Sequence, residues 1–134
     1  MKILIYGSRA DCNTSLTLLK TQSVFAFRKC KLICADNYDE YIIKLKNEKP
    51  NIVIVLANGA DGMEGVITVR ETYPEASVIW FSDDNGFGAQ SYRLRCSYFA
   101  EKPVTVQKIK DAASKCIANA DCQFIISKGI GESV

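Results

Sequence analysis

Apolar residues gather in five short runs along the chain: Lys2–Tyr6, Lys31–Ala35, Ile52–Ala57, Val78–Phe81 and Tyr98–Ala100. They are rich in β-branched and aromatic residues, and most lack the in–out polar alternation of a half-exposed strand. Strands covered on both faces read this way, so the runs predict a parallel sheet sandwiched between helices.

Between the runs the apolar spacing becomes helical. Tyr38–Lys49 places Tyr38, Tyr41, Ile42 and Leu45 at i, i+3, i+4 and i+7, behind Asn37 as N-cap with Glu40 three residues on. Glu64–Tyr73 puts Val66, Val69 and Tyr73 on one face and is stopped by Pro74. Thr105–Asn119 offers Ile109, Ala112, Ala113, Cys116 and Ile117, with Thr105 as cap. Asn13–Val24 and Phe87–Arg95 carry weaker helical patterns. Five strands alternating with five helices, joined by right-handed crossovers, predict an α/β, flavodoxin-like (βα)5 three-layer sandwich with strand order 2-1-3-4-5. In that order the functional crevice lies at the carboxyl ends of strands 1, 3 and 4. Residues 1–119 form the domain, and 120–134, "ADCQFIISKGIGESV", read as a tail or the start of a linker to an output domain.

Composition narrows the chemistry. Of 134 residues, 48% are hydrophobic and 24% charged, as in an ordinary globular domain, and the net charge of +2 is too small to imply nucleic-acid binding. The absence of histidine removes imidazole acid–base catalysis, phosphohistidine chemistry and most zinc sites. Cys12, Cys30, Cys34, Cys96, Cys116 and Cys122 show no CxxC pairing and read as free thiols. With no apolar run long enough for a membrane span and no signal-peptide pattern at the start, the expectation is a cytoplasmic protein without membrane contact, cofactor or metal.

"EKPNIVIVLANGADGMEGVITVRETYPEASVIWFSDDN" followed by "SYFAEKPV" resembles the receiver domain of two-component response regulators, the CheY-like superfamily. The carrying pieces are Gly62-Met63-Glu64-Gly65 after strand 3, Ser82 after strand 4 and Lys102-Pro103 after strand 5. "FGAQSYRLRCSYFAEKP" is similar to receivers that precede LytTR-class DNA-binding domains. The resemblance covers roughly residues 1–118. It implies an aspartate at the end of strand 3 that accepts a phosphoryl group and two acids at the end of strand 1 that hold Mg²⁺. It further implies a Ser or Thr and a Lys that receive the phosphoryl oxygens, and a cis Lys102-Pro103 bond.

The chain departs from that pattern at its chemical centre. Gly7 and Ser8 stand where the acid pair is expected, and the phosphoacceptor position falls on Leu56 or Ala57. Ser82 and Lys102 keep matching types. Asp61, Asp83, Asp84 and Asp36 are loop acids near the crevice. Lys102 needs an acceptor, for which Asp61, a backbone carbonyl or a bound anion are open choices. Tyr98 and Pro103 are read as switch or packing positions.

The resulting expectation is a degenerate receiver, not an enzyme, that signals by contact. It would act through a protein partner or a homodimer at the face of helix 4, strand 5 and helix 5, without touching nucleic acid itself. The alternative is the N-terminal receiver part of a DNA-binding transcriptional regulator. A minor alternative, drawn from "YGSRADCNTSLTLLK", is a phosphocysteine-type sugar phosphotransferase IIB domain reacting through Cys12. Flavin binding is disfavoured by the lack of a Thr/Ser-rich phosphate nest in the first loop.

Overall fold

The apolar runs pair into one parallel sheet. The computed structural model describes residues 1–21 and 30–116, and its strands are β1 (Lys2–Tyr6), β2 (Lys31–Ala35), β3 (Ile52–Val55), β4 (Ser77–Ser82) and β5 (Tyr98–Glu101). Their order is β2-β1-β3-β4-β5, with Tyr6 registered against both Ala35 and Val55, and Ser82 against Glu101. The helices are α1 (Arg9–Thr21), α2 (Tyr38–Glu48), α3 (Gly59–Thr72), α4 (Gly88–Arg93) and α5, which includes residues 106–116. The predicted three-layer α/β sandwich is therefore the one observed.

Both sheet faces are buried, which is why the strands read as unbroken apolar runs. Ile3, Ile5, Ile52, Ile54, Leu56, Ile79 and Phe81 pack against Cys12 and Leu19 of α1 and Ile109, Ala112 and Cys116 of α5. Leu4, Val53, Val55, Val78 and Trp80 pack on the opposite side against Tyr41 and Leu45 of α2 and Val66 and Val69 of α3. Tyr6 and Tyr41 stack with ring centroids 4.1 Å apart, and Tyr41 donates its hydroxyl to Gly65 O at 2.7 Å, so β1, α2 and α3 are tied at one point.

The expected caps hold. Asn37 Oδ1 accepts from Glu40 N at 2.9 Å, and Thr105 Oγ1 accepts from Lys108 N at 3.2 Å. Several element ends differ from the sequence reading. Helix α1 begins at Arg9 and not Asn13, because Ser8 Oγ accepts from Asp11 N at 3.1 Å and caps it, while Cys12 starts the buried stripe with Leu16 and Leu19. Helix α3 begins at Gly59 and not Glu64; the glycine-rich stretch is its first turns. A Cβ on Gly62 would lie 2.3 Å from Ala57 O, and one on Gly65 would lie 2.9 Å from the Tyr6 ring, so these glycines serve close packing instead of turning the chain. Strand β3 ends at Val55 and not Ala57, although Leu56 N still donates to Tyr6 O at 2.6 Å. Phe87 belongs to a 3-10 turn, Asn85–Phe87, capped by Asp84, and α4 closes by Arg93 with Arg95 at φ 57. The far ends of the helices predicted to reach Val24 and Asn119 lie outside the described residues, as do Cys122, Phe124-Ile125-Ile126 and the boundary at 119/120.

Candidate functional site

The segments that follow β1 and β3 and the end of β4 meet at one residue, Lys102. Lys102 N donates to Ser82 O at 2.8 Å, extending the β4–β5 pairing by one residue, and the Lys102-Pro103 bond that follows is cis. The Lys102 ammonium reaches back over the sheet. It donates to Asp11 Oδ2 at 2.9 Å and to Asn58 Oδ1 at 2.5 Å. One cation thus bridges the first turn of α1, the β3–α3 junction and the end of β5. At 17% side-chain exposure it is largely screened from water, and the carboxylate and carboxamide supply the acceptors such a cation requires.

None of the acids singled out in the sequence is bonded to Lys102. Asp61 is exposed in the first turn of α3. Asp83 Oδ1 accepts from Gly59 N at 3.0 Å and so holds the β3–α3 turn. Asp84 accepts from Gly86 N at 2.8 Å, and Asp36 forms an ion pair with Arg9 at 3.3 Å. Ser82 is fully buried and its hydroxyl accepts from Asp84 N at 3.1 Å. Tyr98 packs against Phe81 with centroids 5.9 Å apart, and burial, with Asp111 second, raises the pKa of its hydroxyl.

Two site residues were missed from sequence. Neither Asp11, four positions beyond Gly7 and ahead of the helix expected from Asn13, nor Asn58, ahead of Gly59, belongs to any expected motif. Only one weak signal points to them: Asp11 stands three residues beyond Ser8, and Asn58 one or two residues beyond the expected phosphoacceptor position, Leu56 or Ala57.

The residues at the end of β1 do not fit a magnesium ion, which demands several carboxylate or other oxygen ligands. Gly7 leaves no room for a side chain, since its Cβ would sit 2.7 Å from Leu56 Cβ and 3.2 Å from Leu56 C. Ser8 spends its hydroxyl on the α1 cap, Asp11 is held by Lys102, and Leu56 is fully buried as an apolar plug beneath them. Among the described residues no group of three or more His, Cys, Asp or Glu side chains is gathered to hold a metal ion.

Cys12 is not placed as a nucleophile. It is 3% exposed, its sulfur lies 3.5 Å from Gly7 O, and its pKa is pushed up to about 12, chiefly by burial and then by Cys34. A thiol that stays protonated in that setting does not attack phosphate, which counts against the phosphotransferase reading. A recess of about 290 Å³ is lined by Cys12 and Cys34 together with Arg9, Asn13 and Asp36.

No protein-family model matches the chain, and no curated protein matches it. Solved structures do. The REC domain of AraT, a response regulator from Geobacillus stearothermophilus, superposes with a TM-score of 0.71 at 14% identity, over 92% of this chain and 97% of that one. The signal receiver domain of a modulated diguanylate cyclase from Desulfovibrio desulfuricans G20 gives 0.69 at 17% identity, over 91% and 97%. NtrX from Brucella abortus gives 0.73 at 16% identity, over 94% of this chain and 28% of that longer one. The fold is that of response-regulator receiver domains. No helix among the described residues is long and apolar enough to cross a membrane.

Proposed function

We propose that the chain is a degenerate receiver that signals through protein contact, independently of aspartyl phosphorylation. The carrying observation is the internal neutralisation of Lys102. The cation that the resemblance assigns to an incoming phosphoryl group is already held by Asp11 and Asn58. The expected acid pair is Gly7-Ser8, and the expected phosphoacceptor position is Leu56 or Ala57, neither of which can carry a phosphoryl group. Ser82 and Lys102 are vestiges of the phosphoryl site in this reading. The surface left for signalling is that of α4, β5 and α5, which carries Gln90, Arg93, Arg95, Lys108 and Lys110 together with Tyr92, 86% exposed.

The test is a titration of freshly prepared protein with beryllofluoride in the presence of Mg²⁺, followed by NMR. The expected result is no saturable shift at Gly7, Asn58, Ser82 or Lys102. Saturable shifts there or around Asp61 would show a working phosphoryl site and overturn the reading.

A second reading keeps the same domain but makes it the N-terminal part of a DNA-binding regulator of the LytTR type. It is supported by the similarity of "FGAQSYRLRCSYFAEKP" to such receivers, and by NtrX, in which this fold is 28% of a longer chain.

A further inference from the structure

Asn58-Gly59 is one of two Asn-Gly pairs in the chain, the other being Asn85-Gly86. An Asn-Gly pair is the sequence most prone to intramolecular deamidation, because the glycine nitrogen reaches the preceding carboxamide carbon with no side chain in the way. At Asn58 the structure adds chemistry to the sequence. Gly59 N donates to Asp83 Oδ1 at 3.0 Å, so a carboxylate stands ready to take the proton of the attacking nitrogen. Asn58 Oδ1 accepts from the Lys102 ammonium at 2.5 Å, so a cation faces the oxygen on which negative charge grows as the carbon becomes tetrahedral. Asp11 fixes that ammonium from its other side at 2.9 Å. Asn58 is exposed to water, and Gly59, at φ 56, has nothing within 4 Å of where a Cβ would stand, so no neighbouring side chain crowds the attacking nitrogen from that side.

We propose that Asn58 is a self-catalysed deamidation site, with Asp83 as the base and Lys102 as the electrophilic group. Gly59 N gives its proton to Asp83 and bonds to Asn58 Cγ. The Cγ–Nδ2 bond breaks, and Nδ2 takes up a proton and leaves as ammonia. Water then opens the resulting succinimide at either carbonyl, leaving aspartate or isoaspartate at position 58. The net change is one water consumed and one ammonia released, with no change of oxidation state. The product places a new carboxylate against Lys102, between Asp11 and Asp83, in a crevice whose neutral member was Asn58.

The second pair is a built-in control. Gly86 N also donates to a carboxylate, Asp84 Oδ1 at 2.8 Å, but among the described residues no cation is bonded to the Asn85 side chain. The experiment ages the full chain at neutral pH and follows both sites by peptide mapping that separates asparagine, aspartate and isoaspartate. The folded wild type is expected to convert Asn58 at least about tenfold faster than Asn85, a threshold set below the roughly 10²–10⁴-fold that a positioned acid or base contributes. In urea the two rates should converge, a comparison that requires no variant to fold. Lys102→Gln and Asp83→Asn, each checked for native circular dichroism, should slow Asn58 by a similar factor and leave Asn85 unchanged. Equal rates at the two sites in the folded chain, or an unchanged Asn58 rate in both folded variants, would overturn the proposal. Asn58→Asp, titrated with beryllofluoride beside the fresh wild type, keeps this result separate from the contact-signalling reading, which concerns the chain with Asn58 intact.

Discussion

At the scale of single residues, the crevice is shaped by a pair that excludes a side chain. Gly7 and Leu56 approach so closely that a Cβ at position 7 would fall 2.7 Å from Leu56 Cβ. Leu56 cannot yield cheaply, since it is fully buried among Ile54, Phe81 and Cys12 and its amide is bonded to Tyr6 O. Gly7→Ala should therefore cost about 1–3 kcal/mol, the usual penalty for overpacking a filled core. A lowered urea midpoint with unchanged slope would record that loss, while an unchanged midpoint would mean that the Leu56 backbone moves aside. Gly7→Asp should be worse still, so restoring one acid of the expected pair does not restore a magnesium site.

At the scale of elements, α4 carries the most exposed large apolar side chain among the described residues, Tyr92. Helix α4 is only six residues long, closes with Arg95 at φ 57, and leaves Tyr92 almost entirely in solvent. Aromatic and arginine side chains are the types enriched at interface centres. Lys108 of α5 donates to Glu101 O at 2.6 Å and Pro103 O at 3.0 Å, which occupies carbonyls near the open edge of β5. That arrangement favours side-chain contact at this face over the addition of another strand. Light scattering over a range of concentrations should show self-association that Tyr92→Ala weakens. A strict monomer at high concentration would rule out a homodimer through this face and leave a different protein as the partner.

At the scale of the whole molecule, buried thiols link stability to pH in both helical layers. Burial pushes Cys12 and Cys96 up to about 12 and Cys116 up to about 11, from an ordinary value of 9.0. In the unfolded chain these thiols ionise near 9.0, whereas in the folded chain they stay protonated until about 11 or 12. Above the lower value the unfolded state binds fewer protons than the native one, so stability falls as pH rises. The contribution is complete below about pH 9 and lost progressively toward about pH 12. Urea midpoints measured across that window should decline, and Cys12→Ala with Cys96→Ala should flatten the decline. A parallel slope in the double variant would assign the effect to other groups.

The fold was legible because burial on both faces imprints itself locally, as apolar runs for strands and a 3.6-residue stripe for helices. The Asn37 and Thr105 caps were legible for the same reason, since each bonds within its own first turn. The start of α3 was misread because Gly62 and Gly65 resemble a turn in sequence, and only the neighbouring Ala57 carbonyl and Tyr6 ring reveal them as packing contacts. The sequence alone also settled which groups the crevice lacks: no carboxylate at positions 7 and 8, none at 56 and 57, and no histidine anywhere. What fills their place was decided in three dimensions. Lys102 meets Asp11 across 91 positions of chain and Asn58 across 44; the sequence marks Lys102 as a cation in need of an acceptor, but Asp11 and Asn58 look like ordinary solvated polar residues. A charge pairing between distant elements leaves no periodicity behind. It exists only once the sheet order has brought the ends of β1, β3 and β5 over one another.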